Sequence, residues 1–377
     1  MAARVVIVGG GYGGVSVARR LDPVADVVLV EPKDAFVHAV GALRAVVDPQ
    51  WQDRVFLPYD RLLARGRVVH DWARRVSPTR VRLSPHEYLD TDVLVLATGT
   101  AYPFPAKYLE DDTAVASARL TRLRESLDRT DRVLVVGGGP VGLELAGELT
   151  SAFPGLGVTV VDKADDILTA WDYDAELRES IRTQLTDRGV RIVTGASLSF
   201  LPPSDVGTYA PFTVTTTDGA AIEAQMWFRC YGARPQTDFL DEELAAARKP
   251  DGHLRVTDQL TVVGQDRVFA VGDVTDVPEG KYAAAAIAHA EVVADNILDV
   301  LDGRRPGRRY APAPERLVLP LGPDGGASQV ARGGRRVVLG PEETARLKGA
   351  DLFATAAAAM LGRDLPDDGT DATGSAD

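Results

Sequence analysis

The residues of this chain whose types and spacing could do chemistry are glycines and acids. Gly9, Gly11 and Gly14 sit in "VVIVGGGYGG" as G-x-G-x-x-G, and Gly137, Gly139 and Gly142 repeat the pattern in "RVLVVGGGPVGLE". In such a turn the first glycine permits a tight bend and the second lets main-chain N–H groups approach a pyrophosphate. The third lets a helix pack closely on a strand. The anion then lies on the positive end of the helix dipole. Beyond each turn an acid closes the next apolar run, Glu31 after residues 27–30 and Asp162 after residues 158–161, where a carboxylate can accept from ribose hydroxyls. A lone glycine pattern can be only a turn. Two copies with strand before, helix after and acid beyond point to two dinucleotide sites, the alternative being an old duplication with one silent copy.

Elements of definite kinds must position these residues. Residues 5–8, 27–30, 133–136 and 158–161 are short apolar, β-branched runs, the pattern of strands buried on both faces in a parallel sheet. Residues 15–21 and 143–149 have helical composition. Alternation over 67–76 and 79–83 predicts an antiparallel excursion before the apolar strand "DVLVLATG", and "PFTVTTTDGAAIEAQ" predicts a hairpin at Asp218 and Gly219 before the strand "MWFRCYG". A charged, helix-like stretch follows residue 240. A last buried strand, 268–271, ends at Gly272 and Asp273, an acid that needs a partner if buried or caps the next turn. Alanine-rich residues 281–298 predict a helix. "DGRRPGRRYAPAP" reads as a linker, 317–361 as short strands between glycine turns closing in a helix, and the acidic tail 366–377 as disordered. The fold class expected is α/β, with two Rossmann-like dinucleotide-binding domains and a small C-terminal α+β region.

Composition removes other functions. With 377 residues, 45% of them hydrophobic, the chain can bury more than one core. Its net charge of −12 repels phosphate backbones and argues against a nucleic-acid partner. A single cysteine, Cys230, excludes an intramolecular disulfide and a CxxC pair, and the five histidines lack metal-ligand spacing. Redox chemistry would therefore need a bound cofactor. Cys230 itself is expected to pack in the core. No run reaches the ~18 apolar residues of a spanning helix. The start "MAARVVIVGG" enters a strand at once, so the expected location is the cytoplasm. The four arginines of the linker fit a solvated loop better than an anionic-lipid contact.

The sequence resembles the two-dinucleotide-binding, pyridine nucleotide-disulfide reductase-like flavoproteins over nearly its whole length. Within them it is most similar to the ferroptosis suppressor and apoptosis-inducing-factor-like mitochondrion-associated 2 branch, related to type II NADH dehydrogenases. The motifs that carry the likeness are "VVIVGGGYGG", "VEPKDAFVHAVGALRAVVDP", "VLVLATGTAYPFP", "VLVVGGGPVGLELAGEL", "VFAVGDVTD" and "GADLFATAAAAML". The resemblance implies FAD in the first site, NADH or NADPH in the second and a quinone-type acceptor.

Carried over by residue, Gly9, Gly10, Gly11, Tyr12, Gly13 and Gly14 would meet the FAD diphosphate and Glu31 the adenosine ribose. Lys33 and Arg44 would lie near phosphate or flavin, and the Val68 main chain at the adenine. Thr98 and Gly99 would flank the isoalloxazine, Gly272 and Asp273 the ribityl chain, and Lys281 would open a helix aimed at the ring. Gly137, Gly139, Gly142, Glu144, Asp162 and Gly232 would hold NAD(P)H, with Asp162 favouring NADH because it faces the 2′-phosphate of NADPH. The implied organisation is 1–105 and 251–302 for FAD, 106–250 inserted for NAD(P)H, 303–365 as a C-terminal interface region and 366–377 as tail. No side chain is singled out as catalytic, since the flavin would perform the redox step. Two other readings stay open: a reductase of a small iron-sulfur protein, and an FAD/NADH-sensing binding protein with incidental turnover. For 317–361 a dimer face, a quinone entry and a peripheral docking surface at the inner face of the membrane also stay open.

Overall fold

Why strand Arg4–Val8 is apolar at every inner position follows from what lies on each side of it. Side chains of a strand alternate between faces. Val5 and Ile7 pack against Val15, Val17, Ala18, Val293 and Ile297 of helices Tyr12–Leu21 and Ala283–Leu301. Val6 and Val8 pack against Val76, Val81 and Leu89 of a three-stranded antiparallel layer. The computed structural model describes residues 2–365; the tail 366–377, expected to be disordered, lies outside the described residues.

The first sheet has the order Val268–Ala270, Val93–Leu96, Arg4–Val8, Asp26–Val30, Arg67–Val69, parallel throughout. Its last strand in sequence returns after a second sheet has been completed. That sheet has the order Arg191–Val193, Gly157–Val161, Arg132–Val136, Met226–Arg229, again parallel. Val133 and Val135 meet Leu143, Ala146 and Leu149 of helix Pro140–Ala152, while Leu134 and Val161 meet the hairpin Phe212–Thr215 and Ala221–Ala224. The expected hairpin is present, and Gly219 turns it with φ +91°.

A third, antiparallel sheet consists of Leu317–Pro320, Gly326–Arg332 and Arg335–Leu339. Gly333 and Gly334, both at positive φ, make the two-residue turn that only such residues make easily. This sheet leans on the second one: a Cβ at Gly147 would come within 2.5 Å of the Leu321 Cα, so helix and loop touch backbone to backbone.

Three expectations are corrected. Residues 67–76 are not one antiparallel piece: Arg67–Val69 joins the parallel sheet beside Asp26–Val30, and the antiparallel layer is Arg75–Ser77, Arg80–Arg82 and Tyr88–Asp90. The alternating pattern is shared by a half-covered edge strand and a meander, so periodicity could not separate them. The charged stretch after residue 240 forms only one helical turn, Glu242–Ala245, capped by Asp241. The long helix starts at Ala283, with Tyr282 in extended backbone before it, and runs to Leu301. In the linker, Arg304 pairs with Asp299 and Asp302, Arg308 with Asp295 and Arg309 with Asp258, so these charges are engaged with the protein's own carboxylates.

Candidate functional site

At the first glycine turn, Gly9 has φ +106° and a Cβ there would meet the Ala97 carbonyl oxygen at 2.4 Å. A Cβ at Gly14 would lie 1.9 Å from the Gly9 oxygen, which is how the helix is drawn against the turn. Gly13 rests on Val271. A Cβ at Gly11 would meet nothing within 4 Å, and no side chain caps the helix that begins at Tyr12, which leaves its first N–H groups without a side-chain acceptor. Glu31 reaches back to this loop: its Oε2 accepts from the Gly10 N–H at 2.6 Å and its Oε1 from the Lys33 N–H at 3.1 Å. Tyr59 donates to the Gly10 carbonyl at 2.8 Å.

The second turn repeats the glycine contacts and the carboxylate hook, with the Leu168 N–H in place of the Tyr59 hydroxyl on the Gly138 carbonyl. Gly137 has φ +119°, a Cβ at Gly142 would lie 1.9 Å from its oxygen, and Gly139 is open. Helix Pro140–Ala152 starts with proline and has no side-chain cap. Asp162 accepts from the Gly138 N–H at 2.5 Å and the Ala164 N–H at 2.8 Å. Two uncapped helix starts, each with an acid fastened to its loop, have the geometry that suits an anion with a hydroxyl donor alongside.

Between the turns lies a polar knot. Thr98 donates to the Gln236 carbonyl at 2.6 Å, and Gly99, at φ +59°, accepts from the Gln236 N–H at 3.0 Å. Asp273 accepts from Thr100 at 2.8 Å and from the Lys107 ammonium at 3.2 Å, and Lys107 also donates to the Thr100 carbonyl at 2.8 Å. Burial pushes the Asp273 carboxyl up, but Lys107, Thr100 and the charge of Lys281 outweigh it and hold it below the usual range. Asp273 therefore takes side-chain partners and does not cap the turn after it. Gly272 donates its N–H to His289 Nδ1 at 3.0 Å, and His289 is held from its other side by Glu279 at 2.7 Å. Sequence reasoning missed Lys107, which stands alone eight residues past Gly99 without a motif around it.

Other expected residues are placed less directly. Lys281 precedes its helix, and its ammonium ties down the carbonyls of Thr275 and Val277 at 2.9 and 2.8 Å. Lys33 contributes main-chain bonds, to Glu31 and to His70. Val68 is the middle of the edge strand, opposite Leu29. Tyr12 hydrogen-bonds His38 at 2.9 Å, and His38 Nε2 reaches the Leu352 carbonyl at 2.9 Å, joining the first turn to the C-terminal stretch. Burial lowers the His38 pKa to about 4, so it is neutral near pH 7.

Arg44, expected near phosphate or flavin, has its guanidinium taken up by groups of the protein itself. Its Nε pairs with Glu148 at 2.5 Å, its Nη2 donates to the Gly349 carbonyl at 3.0 Å, and it stacks on Trp51. Glu144 pairs with Lys348 at 3.0 Å. Arginine is thus drawn to a carboxylate two turns down the second nucleotide helix, a contact across 104 residues that no local pattern announces. Cys230 is buried beneath the second turn, where burial pushes its thiol up to about 12. Gly232, at φ +93°, follows it at the end of strand Met226–Arg229.

A family profile described as pyridine nucleotide-disulphide oxidoreductase matches residues 3–291. The chain belongs to that family. As a member it is an oxidoreductase that works with FAD and a nicotinamide nucleotide. It is 30% identical to ferroptosis suppressor protein 1 of Taeniopygia guttata, over 97% of each chain, and 27% identical to apoptosis-inducing factor homolog A of Dictyostelium discoideum, over 87% and 85%. Its fold is like that of the sulfide:quinone oxidoreductase of Aquifex aeolicus, with a TM-score of 0.74 at 15% identity, covering 97% of this chain and 93% of that one. The residues here fit FAD: the Gly9–Gly14 turn leaves a cradle that a side chain would fill, and Asp273 brings a charged acceptor to the open edge of the same sheet. No helix among the described residues is long and apolar enough to cross a membrane.

Proposed function

We propose that this oxidoreductase takes reducing equivalents from NADH and passes them, by way of FAD at the first glycine turn, to a quinone-type acceptor. The observation that carries the reading is the duplicated hook, Glu31 on Gly10 and Asp162 on Gly138, each beside an uncapped helix start. When bound, FAD supplies the two-electron redox step that no side chain of this chain can perform. Gly9 to Gly14 would take its diphosphate, Glu31 its adenosine ribose, the Val68 main chain its adenine, Thr98 and Gly99 its ring edge, and Asp273 with Lys107 its ribityl hydroxyls. Gly137, Gly139 and Gly142, with Glu144, Asp162 and Gly232, would hold the donor. In this reading 1–105 and 251–302 form the FAD domain, 106–250 the donor domain and 303–365 the region that closes over both.

NADH is the proposed donor because both Asp162 oxygens are fixed by main-chain N–H groups where the 2′-phosphate of NADPH would come. A carboxylate held there repels a dianion and accepts from a diol. The acceptor is proposed as a quinone because the chain has one cysteine and so no dithiol to relay electrons to a disulfide. An apolar ring would meet an apolar edge at Leu347 and Phe353, exposed in the stretch whose Leu352 carbonyl is tied to His38. Peripheral contact with the inner face of the membrane, where quinones reside, belongs to the same reading. The test is anaerobic: reduce the bound flavin with NADH, then add quinones in turn. Return of the oxidised absorbance at turnover rates supports the reading, and a flavin that stays reduced with every quinone refutes it.

A further inference from the structure

Arg229 ends strand Met226–Arg229 opposite Val136, the residue that enters the second glycine turn. Its Nε is buried without a hydrogen-bond partner, and among the described residues its guanidinium makes neither a hydrogen bond nor an ion pair. Arg82 shares a buried, unpartnered Nε, but Arg229 alone of the two stands at the end of a strand beside a glycine turn. An unsatisfied buried donor is costly, so such a group persists where a ligand completes it. The guanidinium is also held in place. It lies over the Tyr231 ring at 4.7 Å, and a Cβ at Gly232 would come within 2.9 Å of its Nη2. Its charge reaches Tyr102, on the segment that leads out of the first sheet.

The sheet order says which part of a ligand it would meet. Strand Arg132–Val136, which carries the glycine turn, is flanked on one side by Gly157–Val161, ending at Asp162, and on the other by Met226–Arg229. A dinucleotide lying across this edge has its diphosphate at the central turn and its adenosine beside Asp162. Its nicotinamide half then runs toward Arg229. The same end faces the first site, because Thr100–Ala101 pairs with Arg234–Pro235 just beyond Gly232. We propose that Arg229 is an anion anchor of the donor site, donating its guanidinium N–H groups to the phosphate on the nicotinamide side. This rests on the donor reading given above. It adds a residue the glycine pattern does not contain, and it predicts that NADH and NADPH depend on Arg229 equally, since the 2′-phosphate lies at the Asp162 end.

Donor fragments test it. The holoprotein is mixed anaerobically with NADH, NADPH, reduced nicotinamide mononucleotide, which keeps the phosphate in question, or reduced nicotinamide riboside, which lacks it. Flavin bleaching gives a half-saturating concentration and a limiting rate for each. Arg229→Met, which keeps the stem on Tyr231, should raise the half-saturating concentration for the three phosphate-bearing donors about 10- to 100-fold, the range of a charge-assisted hydrogen bond. The limiting rates and the riboside should be unaffected, and Arg229→Lys should fall between. An equal change for the riboside, or none for the mononucleotide, overturns the inference. Wild type alone gives a second check in case the variant misfolds: the mononucleotide should saturate at lower concentration than the riboside, with the gap closing as salt rises, and equal saturation overturns the proposal. Wild-type flavin that NADH does not reduce fails the donor reading as well. Normal reduction with an indifferent Arg229→Met variant fails this inference alone.

Discussion

Replacing Arg44 with methionine would strip the counter-charge from one of the most enclosed carboxylates in the protein. The Arg44 and Glu148 side chains are 7% and 1% exposed, and their pair joins the segment after the first nucleotide acid to the second nucleotide helix. Glu148 already has one oxygen, Oε1, without a hydrogen-bond partner, so it has no second donor to fall back on. Breaking a buried pair from one side costs about 3–5 kcal/mol, a large part of the roughly 5–15 kcal/mol by which proteins are stable. Removing both charges is a different matter, because the desolvation of each ion goes with it. Arg44→Met with Glu148→Leu should lie within about 1 kcal/mol of wild type or above it.

The pH dependence sharpens the test. Burial raises the Glu148 pKa further than Arg44, its hydrogen-bond partner, draws it down. A carboxyl whose folded pKa is raised contributes its stability below the unfolded value of about 4.3 and loses it as pH climbs through the folded value. Without Arg44 the folded value rises again, so the penalty of the single variant should grow between pH 5 and pH 8. Urea unfolding at both pH values, followed by tryptophan fluorescence with Trp51 stacked on Arg44, measures it. A loss under about 1 kcal/mol at pH 8, or a double variant no more stable than the single one, would refute the reasoning.

Three further outcomes are expected. Gly14→Ala should abolish flavin binding, while Gly142→Ala should keep the yellow colour and lose reduction by NADH, because in each case the new Cβ would lie 1.9 Å from the carbonyl of its own turn; absorbance per protein and anaerobic bleaching separate the two. Wild type should favour NADH over NADPH in kcat/KM by about tenfold or more, and Asp162→Ala should bring the two donors together, since the carboxylate that repels the extra phosphate is gone. Native Cys230 should resist aromatic disulfide reagents at pH 8 and react at once in denaturant. With its pKa pushed up to about 12, roughly one molecule in ten thousand carries the thiolate.

What the residues alone determined are the features whose causes are local. A β-branched run buried on both faces, a glycine where φ is positive or a backbone must approach, and an acid at the next strand end are all set within about thirty residues, the length of one βαβ unit. Both nucleotide turns, their strands and the hairpin at Gly219 were legible for that reason. Tertiary structure decided where the long charged side chains went. Arg44 looked like a phosphate ligand beside the first acid, yet it is closed on Glu148 and on the Gly349 carbonyl, 305 residues away. Lys107 found Asp273 across 166 residues, and the C-terminal Lys348 found Glu144 across 204. Ion pairs carry no periodicity, and a flexible four- or five-bond stem lets one cation reach any of several anions. Which one it meets is fixed only when the sheets and the C-terminal stretch have packed and removed the water that would otherwise serve them all.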